Sequence, residues 1–133
     1  MGDVMHYLVL SGISPYALRD LEHNRIKTIE IRSPHNFLSV LEINVGDSVF
    51  LTSASQDDLR PGTGGVTAKV REKQISTHRL IYKTDEVYEE CEVQTARLQL
   101  ELKGRAIVRR IECCSLGEAT VVDAGELLFF EGR

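Results

Sequence analysis

The sequence predicts an α+β domain that consists mostly of antiparallel β-strands, with two short helices near the N-terminus. Two Ser-Pro pairs, Ser14-Pro15 and Ser33-Pro34, mark helix starts, because serine caps free backbone N–H groups and proline suits the first helical position. Beyond residue 45, apolar and polar residues alternate between turn signals, which is typical of strands. Strands at this spacing predict a small curled barrel and exclude a doubly wound parallel sheet.

The first half of the chain supplies both helices. Residues 5–10, MHYLVL, are predicted as a first strand, and a helix is predicted over 14–23, with an apolar stripe of Ala17, Leu18 and Leu21. Residues 26–32 form the next predicted strand, in which Ile29 and Ile31 alternate with polar residues. A second helix is predicted over 34–42, and its buried side consists of Phe37, Leu38 and Leu41.

The second half reads almost wholly as strands and turns. A turn at 44–47 precedes a strand, and the loop 60–65 leads into another. Leu98, Leu100 and Leu102 share one strand face, and Lys103-Gly104 after them is predicted to form a tight turn. A further turn at 115–118 is predicted before the last strand.

Composition and charge narrow the class of protein. The chain has 133 residues, of which 42% are hydrophobic and 27% charged, so one folded domain over 1–133 is expected. Its apolar runs are too short to cross a bilayer, and no basic-then-apolar segment opens the chain. Three cysteines, Cys91, Cys113 and Cys114, cannot all pair, and none shows zinc-like spacing. We therefore expect a cytoplasmic protein with no membrane partner, no metal and no cofactor; Cys113 and Cys114 suit core filling.

The net charge of −4 disfavours a protein that coats nucleic acid, because such affinity comes from neutralised phosphates. A local pocket that recognises one nucleotide stays compatible with this charge. The acidic stretch from Asp85 to Glu92 is interpreted as a loop with solvated strand faces.

Two patterns that resemble catalytic or phosphate-binding motifs fall short of them. In the loop RPGTGG at 60–65 a P-loop would need Gly-Lys-Ser/Thr opening a helix, whereas Val66 opens a strand. The loop is interpreted as a flexible turn that could border a ligand pocket. The four histidines show no metal spacing, and no Ser-His-Asp or Cys-His arrangement is indicated.

The stretch KTIEIR, residues 27–32, is the candidate site. Glu30 and Arg32 share a strand face, and Arg32 precedes a helix start, where free N–H groups and the helix dipole favour an anion. Lys27 has the opposite parity, and burying its charge is costly, so it is expected before the regular strand or at a bulge, from which it could reach Glu30. The simpler interpretation is a surface ion pair worth roughly 0–1 kcal/mol.

KTIEIR also matches the K-x-x-E-x-R core of the ASCH domain, a branch of the PUA-like superfamily. The segments NVGDSVFLT and GGVTAKV that follow resemble that family's GD turn and paired strands, so the similarity covers about residues 20–75. The whole chain also resembles a small archaeal family of uncharacterised proteins. The resemblance implies a PUA-like barrel with a cleft beside the motif strand and a role in RNA or nucleotide recognition.

Two positions depart from the ASCH pattern. The family usually has glycine two residues before the motif lysine, where this chain has Arg25. Some bacterial relatives are amidohydrolases that remove an acyl group from a modified cytidine, and there a threonine stands at the position of Glu30. Hydrolysis here would need Glu30 as general base on water, with Lys27 orienting the water or polarising a carbonyl.

The leading hypothesis is a binding module whose cleft receives an RNA nucleotide or a nucleotide-like small molecule. Lys27, Glu30 and Arg32 are its ligand-binding residues, and Thr52, Arg60 and Thr63 are lesser candidates near the same cleft. An amidohydrolase acting on a modified nucleoside, with Lys27 and Glu30 as catalytic residues, is one alternative. A protein-interaction domain without a small-molecule site is another. The sequence leaves the oligomeric state open.

Overall fold

The computed structural model describes residues 6–113 and 120–129. This part of the chain contains six strands and two α-helices: β1 (His6–Leu10), α1 (Pro15–Asn24), β2 (Ile26–Ile31), α2 (Pro34–Glu42), β3 (Ser48–Leu51), β4 (Gly64–Lys83), β5 (Tyr88–Cys113) and β6 (Val121–Phe129). A short 3-10 turn, Gln56–Asp58, follows β3. The predicted α+β class with mostly antiparallel strands is confirmed. The turn expected at 115–118 and Cys114 lie outside the described residues.

Both helices begin where the Ser-Pro pairs predict. The hydroxyl of Ser14 accepts a hydrogen bond from the Tyr16 N–H at 3.2 Å, and that of Ser33 accepts one from the Asn36 N–H at 3.4 Å. Proline is the first residue of each helix, where its missing N–H costs no hydrogen bond. α1 ends at Arg25, whose backbone is left-handed with φ of 68° and whose N–H donates to the Leu21 carbonyl.

The strands are ordered β2-β5-β4-β3-β1-β6, and β5 also pairs with β6. The pairings β1–β3, β3–β4, β4–β5, β5–β6 and β6–β1 therefore return to their starting strand. Every neighbouring pair is antiparallel except β1 and β3, which run parallel. These two strands run parallel because α1, β2 and α2 form a crossover connection between them, and the sheet stays mostly antiparallel, as expected.

The tight turn predicted at Lys103-Gly104 is wrong, because β5 runs through it without a break. Ala68 pairs with Leu102 while Thr67 pairs with Gly104, so Lys103 is an extra residue in β5, a β-bulge. Before the bulge β5 pairs with β2, over Ala96 to Glu101; after it β5 pairs with β6. Glycine marks the bend of a strand here, not its end.

The bulge also changes the face that β5 presents to each of two cores. Before it, the even-numbered residues of β5 join a helix-side core under α1 and α2: Ala96, Leu98, Leu100 and Leu102. After it, the even-numbered Ala106 and Val108 join a second core with Tyr7, Val9 and Phe50 on the other face of β1 and β3. One inserted residue thus lets a single strand contribute to both cores.

β4 and β5 continue beyond the body as a two-stranded arm. Its strands are residues 76–83 and 88–95, which pair with each other. Thr84 closes the turn: its N–H donates to the Val87 carbonyl at 2.8 Å, and its hydroxyl accepts from the Val87 N–H at 3.0 Å. Asp85, Glu86 and Val87 of the acidic stretch lie in this turn, and residues 88–92 lie in β5, so the stretch combines a turn with a strand.

Replacing Gly65 by alanine should destabilise the fold, whereas the same change at the adjacent Gly64 should not. A Cβ at Gly65 would lie 2.6 Å from Cζ of Phe50 and would overlap the Leu51 carbonyl oxygen; at Gly64 nothing lies within 4 Å. Overpacking of this kind costs about 1–3 kcal/mol in unfolding free energy. Urea denaturation of Gly65→Ala and Gly64→Ala measures the difference, and equal stability of the two variants would contradict the packing described here.

Candidate functional site

A cleft of about 380 Å³ lies beside β2, between the starts of the two helices. Its walls are residues 12–14 and Ala17, residues 27–32, and Ser33 with Asn36. Within the described residues β2 pairs on one side only, with β5, so its other edge faces this cleft. Because the cleft lies along a strand edge, side chains from both faces of β2 border it, and Lys27, Glu30 and Arg32 all do so.

Lys27 is not placed as expected. The pairing of β2 with β5 is regular from Ile26 to Ile31, so Lys27 lies neither before the strand nor at a bulge. It pairs with Leu100 and therefore points to the helix-side face. Its ammonium reaches the rim of α1 and forms an ion pair with Asp20 at 3.3 Å, and the side chain stays 30% exposed. A partner seven residues earlier on a helix thus removes the cost of burial.

Glu30 and Arg32 pair with each other on the outer face of β2. Arg32 Nε donates to Glu30 Oε1 at 3.0 Å, and Arg97 from β5 lies 3.9 Å from Glu30 Oε2. The hydrogen bond from Arg32 lowers the pKa of Glu30 below its ordinary value of 4.5, and the charges of Arg32 and Arg97 act in the same direction. Glu30 is therefore a carboxylate near neutral pH, and Arg32, with a side chain 79% exposed, is accessible to solvent.

Asn36 connects the two helix-side walls of the cleft. Its Oδ1 accepts from the Ser11 N–H at 3.0 Å, and its Nδ2 donates to the Ser11 carbonyl at 2.7 Å. Both residues are buried. This reciprocal pair fixes the segment after β1 against the start of α2. Asn36 is not recognisable from the sequence, because its partner lies 25 residues away and no local pattern indicates the contact.

The lesser candidates lie elsewhere. Thr52 is buried, and its hydroxyl donates to the Gly64 carbonyl at 2.9 Å. The hydroxyl of Thr63 accepts a hydrogen bond from the Arg60 N–H at 3.1 Å. The same turn is joined to β5, because the Gly62 N–H donates to the Val108 carbonyl. Thr52, Arg60 and Thr63 are absent from the lining of the cleft. Residues 60–63 form a hydrogen-bonded turn beside the second core, where Leu59 packs, and Gly64 begins β4, so the structure does not bring this segment to β2.

The electrostatics of the cleft favour an anionic group at its rim. Two helices begin there, so the positive ends of two helix dipoles lie beside the cleft. Lys27 and Arg32 add two cations, each already paired with a carboxylate that a ligand anion could replace. The floor is aliphatic, from Ile13, Ile29 and Ile31. Across residues 6–113 and 120–129, no group of three or more His, Cys, Asp or Glu side chains could hold a metal ion.

Removing Arg32 should raise the pKa of Glu30 toward 4.5, since the Arg32 hydrogen bond is the largest influence lowering it. A carboxyl with a depressed folded-state pKa stabilises the fold above its unfolded pKa and loses that contribution as pH falls through the folded value. The difference in stability between wild type and Glu30→Gln should therefore be full above about pH 4.5 and shrink below it. NMR titration of the Glu30 carboxyl in wild type and Arg32→Ala checks the shift, with Arg79→Ala as control.

Replacing Asn36 by alanine should cost about 1–3 kcal/mol of unfolding free energy, because the buried N–H and carbonyl of Ser11 both lose their partner. Asn36→Asp should cost more than Asn36→Ala at neutral pH, because it buries a charge and places a carboxylate oxygen against the Ser11 carbonyl oxygen. The exposed Asn24, at the end of α1, is the matched control. Chemical denaturation measures all three variants; an Asn36→Ala protein as stable as Asn24→Ala would show that this contact does not fix the cleft wall.

Comparisons with known proteins give a family without an assigned activity. No solved structure matches the chain significantly. An uncharacterised protein of Methanocaldococcus jannaschii is 35% identical over 105 residues, which covers 79% of this chain and 66% of that protein. This match confirms the expected resemblance to an archaeal family of uncharacterised proteins. In the described part of the chain, no helix has the length and apolar character needed to cross a membrane. Residues 5–122 match the model of the family DUF473, described as a protein of unknown function, and the chain belongs to that family.

Proposed function

We propose that this protein is a binding module that receives a nucleotide-like ligand, either free or as part of RNA, in the cleft beside β2. One observation carries the proposal: the cleft combines an open strand edge with two cations and two helix starts. Its volume of about 380 Å³ lies within the usual range for small-molecule sites, about 300–1,000 Å³. An apolar floor with a few convergent polar groups is the composition that such sites have.

Each chemical part of a nucleotide has a counterpart in the cleft. Arg32 and the start of α2 offer positive potential for a phosphate, and Arg32 can donate two parallel hydrogen bonds to it. The free main-chain N–H and C=O groups along the β2 edge offer donors and acceptors to a base or a sugar. Lys27 adds a donor from the opposite side, in competition with Asp20. Glu30 keeps Arg32 in place until the phosphate arrives.

The proposal includes a PUA-like, ASCH-type barrel as the scaffold. Its support is the circuit of strand pairings through β1, β3, β4, β5 and β6, with β2 outside the circuit on β5. The position of Arg25 adds to it. The ASCH pattern has glycine there, and Arg25 adopts φ of 68°, the left-handed region that favours glycine. The apparent departure from the pattern therefore concerns the side chain, while the backbone has the conformation that glycine would adopt.

The enzyme alternative gains no support from the geometry. A general base works best with a pKa near the working pH, and the guanidinium groups beside Glu30 move its pKa further below that range. Lys27 is engaged by Asp20 and makes no ion pair with Glu30.

Among the described residues no aromatic side chain lines the cleft, so a base would be held by hydrogen bonds and aliphatic contact. That composition favours one nucleotide over a long stacked strand.

The test uses the four nucleoside monophosphates and a short single-stranded RNA as probes, with binding measured by calorimetry and by amide NMR shifts. Shifts are expected at residues 27–33. Lys27→Ala and Arg32→Ala should each weaken binding about tenfold or more, since a hydrogen bond to a charged group contributes about 1.5–3 kcal/mol. For RNA the log–log salt slope should correspond to roughly two to four phosphate contacts.

The arm offers a matched control. Arg79 pairs with Glu90 at 3.2 Å on an exposed strand, as Arg32 pairs with Glu30, so Arg79→Ala should leave affinity unchanged. Asp20→Asn should strengthen binding, because it releases Lys27. Equal affinity for all four variants, or amide shifts confined to residues far from β2, would show that the cleft is not the site. A steep salt slope with sequence-independent binding would indicate a nucleic-acid surface elsewhere.

A further inference from the structure

The arm leaves an open strand edge in line with β2. β2 pairs with β5 up to the pair Ile31–Ala96, and the chain then turns away into α2 at Pro34. No other strand in the described part of the chain pairs with this edge of β5 over residues 88–95. The N–H and carbonyl groups along the edge are therefore available to an added strand.

The side chains beside this edge differ between its two faces. Register with β4 is unbroken from Glu72–Gln99 to Lys83–Tyr88, so residues of equal parity share a face. Glu90 and Glu92 lie on one face, and both are exposed. Glu89, Cys91 and Val93 lie on the other face. An added strand would thus meet two carboxylates on one side, and a carboxylate, a thiol and an aliphatic group on the other.

The charge of the arm indicates that a strand added at this edge is basic and comes from a molecule other than a second copy of this chain. The arm, residues 76–95, contains five acidic and two basic side chains, so it has most of the net charge of −4. The two basic residues, Arg79 and Lys83, belong to β4 and share the face of Glu90, to which Arg79 is paired at 3.2 Å. The edge strand itself, residues 88–95 of β5, contributes carboxylates and no cation. Symmetric pairing of two copies through this edge would bring the glutamates of both together. Pairing of this edge with the opposite edge of another arm, which has Arg79 and Lys83, would repeat without closing and form an open fibre.

We propose that the β5 edge of the arm binds an extended protein segment by strand addition. The segment alternates lysine or arginine with aliphatic residues. Its basic side chains face Glu92 and, in competition with Arg79, Glu90. Its aliphatic side chains face Cys91 and Val93, beside Glu89 at the start of the edge. Tyr88, which is 62% exposed at the start of the edge, extends the contact on the glutamate face. The backbone supplies affinity, and the alternation supplies selectivity.

The test uses a fluorescent peptide of alternating lysine and valine, about ten residues long to span the edge. Fluorescence anisotropy measures affinity, and hydrogen exchange measures amide protection. The peptide should bind and protect amides of β5 within residues 88–95. Glu90→Lys with Glu92→Lys should weaken binding more than about tenfold, because each reversal turns an attraction into a repulsion. The control pair Glu42→Lys with Glu72→Lys changes net charge equally at exposed sites off the arm and should bind normally.

A second probe separates strand addition from charge attraction in the wild-type protein. The same peptide, N-methylated throughout, keeps its charges and has no backbone N–H donors, so it should bind at least about tenfold more weakly. Equal affinity of both peptides would overturn the proposal, as would protection at the cleft instead of the arm. Light scattering without peptide should show no concentration-dependent association; association with protected β5 amides would assign the edge to a second copy.

Discussion

The continuity of β5 is the constraint on which the rest of the structure depends. This strand has β4 along one side, while along its other side it has first an open edge, then β2, then β6. A strand can change partners and faces in this way only if its backbone bends, and the extra residue Lys103 beside Gly104 supplies the bend. Without it, the even-numbered residues that pack under the helices would stay on one face, and the second core would lose Ala106 and Val108.

The position of β2 follows from that change of partner. Because β6 pairs with β5 after the bulge, β2 pairs with only six residues of β5. Within the described residues, β2 is therefore an edge strand of the sheet. Its outward edge would be a liability in an unprotected sheet. Here α1 ends just before the first residue of β2 and α2 begins just after its last, and Asn36 ties the start of α2 to the segment before α1. The cleft is therefore the space that remains where two helices shield a strand edge without pairing to it.

Local chemistry decides which features the sequence could predict. The Ser-Pro caps act within one turn of helix, and both helices lie where the caps indicate. Alternation within β2 gives the correct strand face for Glu30 and Arg32. For Lys27 the same alternation gives the helix-side face, which is also correct, although the cost of burying its charge argued against that face. The missing information was Asp20, since pairing across a helix and a strand depends on tertiary packing. The same limit hid the Ser11–Asn36 contact. The turn predicted at Lys103-Gly104 was wrong for another reason, because glycine is found both in turns and at β-bulges.

The parallel pair β1–β3 has a consequence for how the cleft is assembled during folding. Every residue that lines the cleft lies between Leu10 and Ser48, within the single crossover that connects these two strands. The crossover helices and β2 acquire their positions only when a chain loop of that length closes, and closing long loops is slow compared with forming a hairpin. The β4–β5 hairpin, whose strands are adjacent in sequence, needs no such closure. We therefore expect the candidate site to form after the β4–β5 hairpin, which can form locally.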